Sequence, residues 1–186
     1  MFQSRSKTLW PALIAATVAA AACDRPAKLT APTRTPGSPS FWFVEANDRM
    51  TGGGKLGDGH DFATFGFNAR PGQGQIEWVQ HYLDGINPAS QTCAFGQFTF
   101  HGSTVTDYAA IEGEPTCRTW AGTGDVKLKD PVLAAQYNGT YQYRVDRSCD
   151  NGEPGRGRDY MSITIGPYHR GDILIGGNIQ LHKGQI

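Results

Sequence analysis

The stretch that most restricts the fold is Asp150-Asn151-Gly152-Glu153-Pro154-Gly155-Arg156-Gly157, set between two alternating patterns, Thr140 to Arg147 and Asp159 to Ile165. Glycine reaches positive φ without strain and proline pre-sets φ at a corner, so Asn-Gly followed closely by Pro-Gly is dense turn chemistry. Alternation on both sides makes the stretch a hairpin connection rather than part of a helix.

The same period of two recurs along the chain. Ala63, Phe65, Phe67 and Ala69 share one face, and Pro71-Gly72-Gln73-Gly74 turns the chain. Ile76, Trp78 and Tyr82 then alternate with Glu77, Val79, His81 and Leu83, and a polar loop follows from Asp84 to Gln91. Phe98 and Phe100 alternate with Thr99 and His101, and a strand from Tyr160 to Ile165 is expected to pair with one from Ile173 to Leu181. Pro131 to Ala135 is the one candidate helical turn, with proline near its start. With 24 Gly, 11 Pro and 18% charged residues, the pattern predicts an all-β domain over residues 41–186, an antiparallel β-sandwich or barrel of about eight short strands with at most one short helix. Thr51-Gly52-Gly53-Gly54-Lys55 departs from a phosphate-binding loop, because Arg49 stands where the first Gly belongs and Leu56 where Ser or Thr belongs. It reads as a glycine loop.

Residues 1–22 have the layout of a secretory signal peptide, with Arg5 and Lys7 before an apolar run from Leu9 to Val18 and small residues from Ala19 to Ala22. The run is shorter than a bilayer-spanning helix requires. Cys23 follows as in a bacterial lipoprotein, with Ala20 in place of the usual Leu three positions earlier, and is the expected lipid-attachment residue. Residues 23–40 are rich in Pro, Thr and Ser without apolar period, as in a disordered tether. The expected location is therefore outside the cytoplasm, anchored through the lipid to a membrane in the periplasm or at the cell surface. Without Arg5 and Lys7 the chain has 15 basic and 17 acidic side chains, a net −2 that offers no electrostatic footprint for nucleic acid.

An exported domain permits disulfides. Cys117 opens one alternating run and Cys149 closes another, so antiparallel pairing of the two brings their outer ends together and favours a Cys117–Cys149 bridge over one between Cys93 and Cys117. Cys93 is then left free or buried as a small hydrophobe.

Four segments in order, Thr51 to Gly54, Ala63-Thr64-Phe65-Gly66-Phe67-Asn68-Ala69, Asp150 to Gly155, and Gly176-Gly177-Asn178-Ile179-Gln180-Leu181-His182, resemble the bacterial post-COAP domain. That family is a small all-β module of exported and surface-attached proteins. The resemblance covers residues 50–183 and implies neither an enzymatic activity nor a ligand, so no catalytic residue is carried over. This chain differs in holding a single copy behind a lipoprotein-like tether and in placing Cys149 directly before the turn.

The residues point to no cofactor and no catalytic machinery. No Gly-x-Ser-x-Gly elbow occurs, and Glu112 and Glu114 sit in a turn with nothing to hold them at a glycosidase separation. None of the five histidines has zinc-ligand spacing. No metal site is expected: His81 and His101, which with Glu77 fall on neighbouring predicted strands, read as solvated or hydrogen-bonded sheet histidines rather than ligands, and Asp150 and Glu153, whose oxygens beside Asp146 and Asn151 would suit calcium, read as turn residues bonding their own backbone. Trp42, Trp78, Trp120, Tyr82 and Tyr143 alternate with polar residues and are expected in the core rather than in a sugar-stacking platform. The sequence thus favours a non-enzymatic cell-envelope lipoprotein carrying a β-module for interaction or structural roles, with a protein or glycan partner at the cell surface. The alternative is an extracytoplasmic protein that binds carbohydrate or a metal ion.

Overall fold

The structure, a computed structural model, describes residues 43–82 and 95–184. The signal peptide, Cys23 and its tether, Trp42, the loop from Asp84 to Gln91, and Cys93 lie outside the described residues.

Eleven strands and one helix follow in order: β1 (Phe43–Glu45), β2 (Arg49–Leu56), β3 (Asp61–Arg70), β4 (Gln73–Tyr82), β5 (Phe98–Gly102), β6 (Thr106–Ile111), β7 (Glu114–Leu128), α1 (Pro131–Tyr137), β8 (Gly139–Cys149), β9 (Tyr160–Ile165), β10 (Tyr168–Ile173) and β11 (Gly176–His182). All pairings are antiparallel within one sheet of order β10-β9-β8-β7-β5-β4-β3-β2-β11. The long strand β7 forks it: its first half pairs with β6, which carries β1, and its second half pairs with β5. The predicted helical turn is α1, where the Asp130 carboxylate accepts from the Val132 and Leu133 N–H groups and Pro131 needs no donor.

The sheet curls into a half-barrel because its inner face is apolar along nearly every strand. Phe65, Phe67, Ile76, Trp78, Phe98, Phe100, Trp120, Val145, Ile163 and Ile179 all face inward and are buried. Contacts between strands that are not neighbours show the closure. Phe67 on β3 meets Trp120 on β7 at 5.0 Å, and Trp78 on β4 meets Tyr168 on β10 edge-on at 6.1 Å. Inward glycines make room for these rings; a Cβ at Gly52 would stand 2.8 Å from the Phe67 ring and 2.9 Å from the Ile179 side chain.

The antiparallel all-β reading with one short helix holds, with eleven strands among the described residues. Two further expectations are corrected. The glycine run Gly52–Gly54 is not a loop but the middle of β2, between β3 and β11; its missing side chains hide the period of two from a sequence reading. The strand from Tyr160 to Ile165 pairs with β10 across the Gly166-Pro167 turn, and Leu174 and Ile175 lead straight into β11, which pairs with β2 because the curl brings the other end of the sheet close. The close pairing of β11 with β2 depends on Gly177, whose φ is +95° and whose added Cβ would run into the Gly53 carbonyl oxygen.

Candidate functional site

The hairpin loop after β8 is the region where most polar chemistry gathers. It joins β8 to β9, whose end residues Cys149 and Tyr160 are cross-strand partners, and it lies against the outer edge of β11. A strand at the end of a sheet presents unpaired N–H and C=O groups. Here carboxylates take the place of a neighbouring strand: Asp159 Oδ2 accepts from the Ile179 N–H at 2.7 Å, and Asp150 Oδ2 from the Leu181 N–H at 2.9 Å. Their other oxygens hold the loop itself, accepting from the Asn151 and Gly152 N–H groups. Glu153 Oε1 completes the strap by accepting from Asn178 Nδ2 at 2.8 Å and Gln180 Nε2 at 3.1 Å. Asp159 is fully buried. Burial, with the Asp150 and Glu153 charges, raises its carboxyl above the usual range despite the two backbone donors.

The oxygens weighed as calcium ligands are engaged by donors of the fold. Asp150 and Glu153 hold the strap, and Asp146 accepts from the Thr164 hydroxyl at 2.8 Å. His81 and His101 stand apart. Glu77 and His101 are direct cross-strand partners in exposed polar contact through His101 Nδ1, whereas His81 lies four residues farther along β4, roughly 13 Å at strand rise. His81 stacks on Phe62 instead, at 4.3 Å. No three of His81, His101, Asp150 and Glu153 share a ligand point among the described residues.

An open depression of about 480 Å³ lies beside the strap, lined by Thr116, Asp150, Asn151, Gly152, Leu181 and Lys183. It has no aromatic wall. Trp78, Trp120 and Tyr143 are buried in the core, so none of them is available to stack on a sugar; the Trp42 and Tyr82 side chains lie outside the described residues. Of the acidic pair at the β6–β7 turn, Glu114 is engaged with Arg147 Nε at 2.8 Å.

Cys117 and Cys149 are paired in register and form a disulfide with Cα atoms 4.1 Å apart. The bridge spans 32 residues of chain, for which loop-closure entropy gives a stabilisation of about 3.7 kcal/mol. Reduction is expected to lower Tm by roughly 10 °C while leaving the protein folded at room temperature, measured by thermal denaturation with and without a phosphine reductant. An unchanged Tm would mean that the bridge restrains nothing the sheet does not already restrain.

Two buried networks escape a sequence reading because their members lie far apart in the chain. Asp48 accepts from Arg118 Nε at 3.0 Å and from the Tyr108 hydroxyl at 2.9 Å, and pairs with Arg118 Nη2. Burial alone would raise the Asp48 carboxyl, but these donors and the guanidinium charge hold it below its usual value. At the other network, the Tyr168 hydroxyl donates to Gln80 Oε1 at 2.5 Å and accepts from Trp78 Nε1 at 3.2 Å, while Arg170 Nη1 reaches Asp61 Oδ1 at 2.6 Å.

Burial pushes the Tyr143 phenol up to about 12 and raises Tyr108 and Tyr168 further. The neutral phenols are favoured in the fold, so their stabilisation is complete below pH 10 and is lost as pH rises through the folded values. Near-ultraviolet titration is expected to show these three tyrosines ionising together, in the step that unfolds the protein. Independent reversible ionisation near pH 10 would contradict their burial.

Comparison of the chain with known protein families, curated proteins and solved structures finds no match in any of the three.

Proposed function

We propose that this chain is a non-enzymatic cell-envelope lipoprotein whose β-domain, held to a membrane through lipid on Cys23 and the tether of residues 23–40, serves as an interaction or structural module of the kind the post-COAP resemblance implies. The observation that supports this reading is the use made of the buried charges. Asp48, Arg118 and Asp159, the buried charged side chains among the described residues, all hold the fold together. Each is engaged by partners within the fold. Exposed charged and polar side chains of the sheet, such as Glu77, His101, Asp125 and Lys127, are where a protein or glycan partner would meet the domain. Among the described residues no helix is long and apolar enough to cross a membrane, so in this reading the lipid is the anchor.

Metabolic labelling with an alkyne fatty acid in a bacterial host tests the proposal on the full chain. Label should enter the protein, the protein should sediment with membranes, and C23S should abolish both. Export with no label, or label that survives C23S, would reduce the reading to a plain secreted domain.

A further inference from the structure

We infer that the Cys117–Cys149 bridge is the oxidised form of a metal site, and that its reduced form, with Glu114, binds a thiophilic divalent cation of tetrahedral preference. Among the described residues, the ligand atoms of Glu114, Cys117 and Cys149 form the group of three that lie within 4.8 Å of one another. The two sulfurs come from directly opposed positions of β7 and β8, so one cation can be held by both strands at once. Both cysteines are buried, whereas Glu114 and Arg147 above them are partly exposed. A Glu114 carboxylate oxygen thus stands within 4.8 Å of both sulfurs, on a residue that is itself open to solvent.

The donor set selects the cation. Two thiolates and one carboxylate oxygen suit a borderline-soft ion such as zinc, with metal–sulfur bonds of about 2.3 Å, a metal–oxygen bond of about 2.0–2.2 Å and water in the fourth position. Calcium and magnesium prefer all-oxygen sites and are selected against. Charge also closes locally: two thiolates, a carboxylate and a dication sum to one negative charge, which the Arg147 guanidinium, 2.8 Å from Glu114, balances.

The interconversion is a two-electron exchange. A dithiol reductant gives two electrons and two protons, the Cys117–Cys149 sulfur–sulfur bond breaks, both cysteines become thiols, and the reductant leaves as its own disulfide. The cation then displaces both thiol protons to solvent as the two metal–sulfur bonds form. The bridge and the metal exclude each other, so bound metal protects the pair from reoxidation.

The test uses the full chain carrying C23S and C93S, so that only this pair of thiols remains. After reduction with a phosphine and removal of the excess, Co²⁺ is titrated in, then displaced by Zn²⁺. One equivalent should bind, with visible bands of tetrahedral cobalt and a sulfur-to-cobalt band in the near ultraviolet, and the oxidised protein should show neither. E114Q should weaken binding by at least about tenfold, since even outer-shell changes cost that much. Zn²⁺ should slow reoxidation of the thiols in the parent. Equal binding by E114Q and parent, binding that survives C117S with C149S, or no binding after reduction would overturn the inference. So would a reduced protein that has lost its near-ultraviolet circular dichroism, since the site requires the paired strands.

Discussion

Replacing Asp159 by alanine is expected to lower the unfolding free energy by about 2–6 kcal/mol, because it leaves the N–H groups of Asn151 and Ile179 without acceptors at about 1–3 kcal/mol each. Tm should fall by roughly 10 °C or more. The asparagine variant separates the causes. Asn keeps one carbonyl oxygen but turns an amide N–H₂ toward the second donor, so D159N should lose less than D159A. The pH dependence separates them again. Asp159 is held above its usual pKa, so the folded protein takes up a proton at a pH where the unfolded chain has not, and wild-type stability rises as pH falls through that folded value toward 3.8. D159N has no group to protonate and should lack that rise. Urea unfolding from neutral pH to pH 4 measures both. A D159A variant as stable as wild type would mean that the strap does not hold β11.

The second large effect is expected at Arg118. Changing it to methionine leaves the Asp48 carboxylate buried with only the Tyr108 hydroxyl as donor, at a cost of about 3–5 kcal/mol. Removing both charges, as in D48L with R118M, should recover most of that loss, since a buried pair replaced by apolar groups of similar volume is often neutral. In the wild type the Asp48 carboxyl is depressed, so its contribution is present above 3.8 and is lost as pH falls through the folded value. In R118M only the Tyr108 hydroxyl and the more distant Lys183 charge still oppose the effect of burial, so the unpaired carboxylate gains from protonation and the variant's deficit should shrink in acid. A double-mutant cycle across pH checks this. Equal losses in the single and double variants would show that packing around Arg118, not its charge, holds this end of the barrel.

What the candidate metal ligands do instead is visible only in the tertiary structure. Side-chain identity marks Asp150 and Glu153 as oxygen donors, but only the position of β11 shows that main-chain N–H groups and two amides stand opposite them. Similarly, His81 and His101 do lie on adjacent strands, and the register of β4 against β5 decides that Glu77, not His81, faces His101. The disulfide could be read because both cysteines end alternating runs that pair directly, β7 with β8.

The opening turn shows where sequence information stops. Asn151-Gly152 and Pro154-Gly155 determine that the chain reverses there, and the period of two determines which face of each strand is buried, because both depend on neighbouring residues alone. Alternation carries no record of which strand lies beside which. That the curl brings the two ends of the sheet together so that β11 joins β2, that Gly52–Gly54 is a strand, and that Asp48 meets Arg118 across 70 residues were decided by tertiary closure. Closure also gave Asp150 and Asp159 their role, since a carboxylate can replace a missing strand only after the curl of the sheet has brought the open edge within its reach.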